Sequence, residues 1–123
     1  MKNQNIRIKE IVTEVRERFV ARQVSRDVLQ RLYHQYNPSV DAVIFVAEAE
    51  RMFPHLNCGL ATVYLRAILG QGRVRQGKYA DNNHTFLLLN GDMVVDITAD
   101  QYGGPKVYVG KLEFPWSIPT ENT

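Results

Sequence analysis

His84-Thr85-Phe86-Leu87-Leu88-Leu89-Asn90-Gly91-Asp92-Met93-Val94-Val95-Asp96-Ile97-Thr98 is the stretch on which the reading of the fold turns. Two apolar runs flank Asn90-Gly91, a dipeptide that favours a tight hairpin turn. The runs 84–89 and 93–98 are therefore expected to be antiparallel strands. Asp96 is out of place in such a strand, because aspartate is depleted there and needs a partner when buried. Counting across the turn sharpens the point. A strict two-residue turn makes paired positions sum to 181 and sends His84 and Asp96 to opposite faces, since neighbouring strand positions alternate. A three-residue loop, Asn90-Gly91-Asp92, makes them sum to 182. His84 and Asp96 then share one face, a diagonal step apart. A pairing of the two side chains thus requires the longer loop or a bulge.

Outward from the hairpin, Gly72–Tyr79 is expected to be a preceding strand and Lys106–Val109 a following one, beyond a loop at Asp100–Pro105. The tail 111–123, which holds Pro115 and Pro119, is expected to be irregular. Upstream the period changes to that of helices. Ile8, Ile11, Val12, Val15 and Phe19 recur at three- and four-residue steps. Ser25 is placed to cap a second helix carrying Val28, Leu29, Leu32 and Tyr33. Asn37-Pro38 interrupts it, and Ser39 is placed to cap a third, Val40 to Met52. A fourth runs from Leu60 to Leu69, with Gly70 past its end. Helices followed by an antiparallel sheet give the α+β class. The chain is expected to be one domain, 1–123: a helical segment 1–56, a cysteine helix with the sheet over 57–110, and the tail 111–123.

A chain of 123 residues, 45% hydrophobic and 23% charged, fits a single folded domain. Its net charge of +2 is too balanced for a protein built mainly to grip phosphates. Residues 1–36 hold eight Lys/Arg against four Asp/Glu, and residues 37–123 hold seven against nine. The basic excess therefore lies on the N-terminal helices. It makes a non-catalytic module that binds an acidic protein partner the alternative reading of function, whereas no nucleic-acid-binding motif is present. No apolar run reaches the ~18 residues of a membrane span, and no secretory leader is visible, so the expected location is cytoplasmic.

Cys58 is the only cysteine, which excludes an internal disulfide or a multi-cysteine zinc site. It stands at the head of the fourth helix, where the helix dipole favours a thiolate. His84 and Asp96 follow in the sheet. An imidazole can stabilise the thiolate and carry a proton to a leaving group, and a carboxylate can orient the imidazole. His55, close to Cys58, is expected to be a loop residue, and His34 to sit at a helix C-terminus. The spacing of Cys58, His55, His84 and Asp96 matches no compact metal motif, so neither metal nor cofactor is expected.

Asn57-Cys58-Gly59-Leu60-Ala61-Thr62, Asn83-His84-Thr85-Phe86-Leu87-Leu88-Leu89 and Val94-Val95-Asp96-Ile97-Thr98-Ala99-Asp100-Gln101-Tyr102 resemble the blocks of the papain-like/transglutaminase-like cysteine hydrolase superfamily. The resemblance covers Asn57 to Tyr102. It implies a core in which a cysteine opens a helix packed on an antiparallel sheet, with catalytic Cys58, His84 and Asp96. It implies acyl transfer at an amide bond, by a protease, a peptidoglycan amidase, a glutamine deamidase or a transglutaminase. The substrate would be a protein, a peptide or peptidoglycan. A small member of this kind is similar to bacterial effector or toxin domains, which would imply a cognate inhibitor protein. Papain-like proteases place an oxyanion-binding glutamine shortly before the cysteine, and residues 51–57 contain none. The Cys58 N–H can supply one donor. Asn57, Asn83, Gln101 and His55 are the candidates for the second.

Overall fold

The computed structural model describes residues 2–119. Four helices come first: α1 (Lys2–Val20), α2 (Arg26–Tyr36), α3 (Ala42–Met52) and α4 (Cys58–Leu69). The strands follow: β1 (Arg73–Tyr79), β2 (Asn82–Leu89), β3 (Met93–Asp96), β4 (Tyr108–Lys111) and β5 (Trp116–Ser117). A one-turn 3-10 helix, Ala99–Tyr102, lies between β3 and β4. The sheet is antiparallel with strand order β4-β3-β2-β1-β5. The architecture is α+β.

Helix boundaries follow the local chemistry. Ser25 caps α2 by accepting the Val28 N–H. For α3 the cap is Asp41, which accepts the Ile44 N–H, and the helix starts at Ala42 rather than Val40. Ser39, expected in that role, donates instead to the Asn37 side chain. The fourth helix starts two residues earlier than its apolar stripe suggests, at Cys58, and ends at Gly70 in the left-handed conformation. The tail is also more ordered than its prolines suggest: β4 runs to Lys111, and Trp116–Ser117 pairs with β1. The part of the tail at 120–123 lies outside the described residues.

The hairpin takes the longer loop. Leu87 pairs with Val95, Leu88 with Val94 and Leu89 with Met93. Asn90 and Gly91 both hold positive φ, 54° and 86°, as a primed turn requires. Asp92 is the extra residue. Its N–H donates to the Leu89 carbonyl, and its own carbonyl accepts the Leu112 N–H at the neighbouring strand. Carried one step further, the register sets Asp96 across from Phe86, on the face that also bears His84.

Both faces of β2 are covered, which is why Phe86–Leu89 is an unbroken apolar run rather than an alternating one. Leu87 and Leu89 join Val95 and Ile97 against the helices, where they meet Val12, Phe19, Leu29, Val46, Leu60 and Leu65. Phe86 and Leu88 point the other way, into a smaller core with Tyr79, Val94, Ala99 and Trp116. That second core exists because the sheet curls. Tyr108 of β4 and Trp116 of β5, from opposite edges, stack with ring centroids 3.8 Å apart. The segments 1–56 and 57–110 share the larger core, so they form one folded unit.

Candidate active site

Asp96 ends β3 inside the curl, 2% exposed, and its carboxylate is fully engaged. Oδ1 accepts the Thr98 N–H at 2.9 Å and the Thr98 hydroxyl at 3.4 Å. Oδ2 accepts the Trp116 indole N–H at 2.8 Å and lies 2.7 Å from Nε2 of His84. A buried carboxylate needs such donors in place of water. Trp116 is a residue the sequence reading did not reach.

His84 is also 2% exposed. Its ring is boxed by Tyr102, perpendicular at 5.4 Å, and by Tyr79 at 6.3 Å and Phe86 at 6.1 Å. Tyr102 is itself anchored, donating its hydroxyl to the Asn83 carbonyl at 3.1 Å. With Nε2 committed to Asp96, Nδ1 has no hydrogen-bond partner among the described residues. The strand opposite contributes Gly77, paired with His84. A Cβ there would lie 2.4 Å from the Ser117 carbonyl and 3.0 Å from the Phe86 ring, so β5 could not close over β1 with any larger residue.

Cys58 opens α4 and is half-buried. Asn57 occupies the cap position without capping, because its side chain turns inward. The first-turn N–H groups of α4 therefore remain available, as unshared donors at the positive end of the helix. Cys58 and His84 line one cavity of about 450 Å³ together with Gln76, Lys78, Asn83 and Thr85. Burial pushes the Cys58 thiol up, but the neighbouring His84 imidazole, the Thr85 main chain and the His84 charge together hold it below its ordinary value. Burial pushes His84 down, but the Asp96 hydrogen bond, then the nearness of the Cys58 sulfur and the two negative charges, more than reverse this and raise it to about 9. The two shifts favour a thiolate–imidazolium pair near neutral pH.

Of the residues considered as oxyanion donors, Asn57 is fully buried and gives both amide hydrogens away, to the Ala49 and His55 carbonyls at 2.7 Å each. It braces the α3–α4 connection and has no donor left for a substrate. Gln101 lies in the 3-10 helix, lines neither cavity at Cys58, and its buried Nε2 has no partner among the described residues. Asn83 is exposed on the His84 side of the cavity. His55 and His34 are exposed and line neither cavity at Cys58. The glutamine that does line both is Gln76, on β1 opposite Thr85. Among the described residues its side chain makes one hydrogen bond, a long one, donated to the Tyr36 hydroxyl at 3.4 Å. No motif around Gln76 marks it in the sequence.

Larger hollows between α2 and α3, about 690 Å³, and along α1, about 680 Å³, do not include the thiol. Among the described residues no cluster of three or more His, Cys, Asp or Glu could hold a metal ion, and no helix is long and apolar enough to cross a membrane. Comparison with protein-family models, with curated proteins and with solved structures finds no match to the chain.

Proposed function

We propose that the protein is a thiol-dependent acyl-transfer enzyme acting on an amide, built on a papain-like/transglutaminase-like core. The observation that carries this reading is the buried His84, bonded through Nε2 to a saturated Asp96 carboxylate, with Nδ1 unpartnered among the described residues and the residue lining one cavity with Cys58. A purely structural histidine in so dry a site would be expected to satisfy both ring nitrogens.

In this reading the Cys58 thiolate adds to the substrate carbonyl carbon. The oxygen takes up negative charge beside the Cys58 N–H, at the start of α4, and the Gln76 amide, which is proposed as the second donor. The carbon–nitrogen bond then breaks. Protonated His84 gives its Nδ1 proton to the departing amine, leaving a thioester on Cys58. Neutral His84 next takes a proton from water or from an acceptor amine, which attacks the thioester and releases the thiolate. Asp96 keeps the imidazole oriented throughout. Hydrolysis, deamidation and transamidation differ only in the amide presented and in the acceptor.

The test is intact mass spectrometry of wild type and Cys58→Ala with peptide amides, glutamine-containing proteins and peptidoglycan fragments. Cleavage, a gain of ~1 Da on a glutamine or a cross-link, each abolished in Cys58→Ala, is the expected result. Transient acyl adducts should sit on Cys58. Turnover that survives Cys58→Ala would refute the reading.

A further inference from the structure

A second cavity, of about 410 Å³, borders Cys58 and is lined by Tyr33, Tyr36, Asn37, Phe45, Leu56 and Gly59. It shares Cys58, Gln76 and Thr85 with the cavity that holds His84, but His84 does not line it. The proton-transfer requirement gives the two spaces different roles. The group that protonates the leaving amine must stand beside that amine. The His84 cavity is therefore the leaving-group side, and the space on the far side of the sulfur receives the acyl half of the substrate.

One side of that far space is aromatic. Tyr33 and Phe45 stack with ring centroids 4.3 Å apart and planes 10° from parallel, and Tyr36 tilts against Tyr33 at 5.8 Å. The floor toward the thiol is Gly59. A Cβ there would stand 3.4 Å from the Tyr36 ring and 3.8 Å from the Tyr33 ring, so a methyl group fits in ordinary contact and would take up part of the space next to Cys58. Leu56, 49% exposed, forms an apolar rim and holds a positive φ of 65°. The volume lies at the small end of ligand sites, enough for one flat side chain.

We infer that the substrate carries an aromatic side chain on the acyl side of the scissile amide, seated among Tyr33, Tyr36, Phe45 and Leu56. This selectivity rests on the acyl-transfer reading above. Ring–ring contact and exclusion of water from the half-buried walls supply the preference.

The experiment compares alkylation of Cys58 by the chloromethyl ketones of N-acetyl-phenylalanine and N-acetyl-alanine, with iodoacetamide alongside, all read as adduct mass on the intact chain. The wild type should react with the phenylalanine reagent about tenfold faster or more than with the alanine reagent. Gly59→Ala, which suits a helix, narrows the space. Leu56→Asn removes an apolar wall with a residue that tolerates positive φ. Each should bring the ratio toward one. Equal rates for the two ketones in a wild type whose iodoacetamide reaction shows a lowered thiol pKa would overturn the aromatic subsite alone. An iodoacetamide profile of an ordinary thiol would overturn the acyl-transfer reading beneath it. A ratio unchanged in both variants would place the selectivity elsewhere and overturn the assignment to this cavity.

Discussion

At the residue scale the behaviour of the site comes down to three side chains and the tryptophan behind them. Cys58 is held below its ordinary pKa and His84 is raised to about 9. The sign is therefore fixed at both ends. As pH rises through the lowered Cys58 value, thiolate appears; as it rises through about 9, His84 loses its proton. Alkylation by iodoacetamide should have its midpoint below the ~8.5 of a free thiol, and His84→Ala should raise the midpoint to that ordinary value or above it, since burial then acts without the imidazole to oppose it. Acyl transfer itself should follow a bell, with its alkaline limb near pH 9 where the proton for the leaving amine is lost. A rate that climbs steadily to pH 10 would contradict this assignment. Trp116 makes a separate prediction. Trp116→Phe keeps the stack on Tyr108 but removes a hydrogen bond to a buried carboxylate, which should cost about 2 kcal/mol in urea unfolding. Cys58, His84 and Asp96 were legible in the sequence because each breaks a local expectation or sits at a helix or strand start. Trp116 was not, because β2 and β1 separate its strand from β3 in the sheet, and only the curl brings the indole over Asp96.

At the scale of elements, one residue of loop decides whether there is a site. Asp92 makes the hairpin three residues long and so sets His84 and Asp96 on one face. Deleting Met93 while Asn90-Gly91-Asp92 stays the loop would set Val94 opposite Leu89 and slip the register by one. Every β3 side chain would then change faces. Asp96 would be driven toward Leu87, Leu89 and the helices, with no donor there to meet it. Leaving a charge unpaired in such a core costs about 3–5 kcal/mol. The expected outcome is a large fall in the urea midpoint, with loss of the lowered Cys58 pKa in whatever remains folded. Retention of both would mean that β3 does not set the acid's position. The sequence narrowed the hairpin to two registers and stated which one a paired His84 and Asp96 needs. It could not choose, since Asn90-Gly91 suits a primed turn in either. The choice comes from Leu112, whose N–H takes up the Asp92 carbonyl, a contact 20 residues distant in the chain. The α2 start was legible because Ser25 caps it conventionally. The starts of α3 and α4 were misread where the residue expected at the cap has another task, as with Ser39 donating to Asn37 and Asn57 turning inward toward Ala49 and His55.

At the scale of the whole molecule the question is what holds the helical half against the sheet close to the acid. Most of the attachment is apolar, but among the described residues one polar tie crosses from α1. The Arg16 guanidinium donates to both carboxylate oxygens of Asp100, at 2.7 and 2.9 Å, and to the Ile97 carbonyl at 2.8 Å. It also lies over the Phe53 ring, 4.7 Å from the centroid. The two side chains are only 11% and 18% exposed, so this is not a solvent-screened pair. Ile97 and Asp100 flank Thr98, whose N–H and hydroxyl hold Asp96. Arg16 thus fixes the segment that fixes the catalytic acid of the proposed mechanism. Removing one partner leaves the other charge and the Ile97 carbonyl poorly met, so Arg16→Met should lose about 3 kcal/mol. Replacing both, Arg16→Met with Asp100→Leu, should recover much of that loss, because the desolvation cost of the pair disappears together with its attraction. Urea titrations of the wild type, the two single variants and the double variant give the coupling directly. If stability alone is at stake, the double variant should also regain the lowered Cys58 pKa. If the pair positions Asp96, stability should return while the pH midpoint of Cys58 alkylation stays displaced toward that of His84→Ala. The contacts favour the second outcome, since an apolar pair offers nothing to the Ile97 carbonyl that Arg16 now holds.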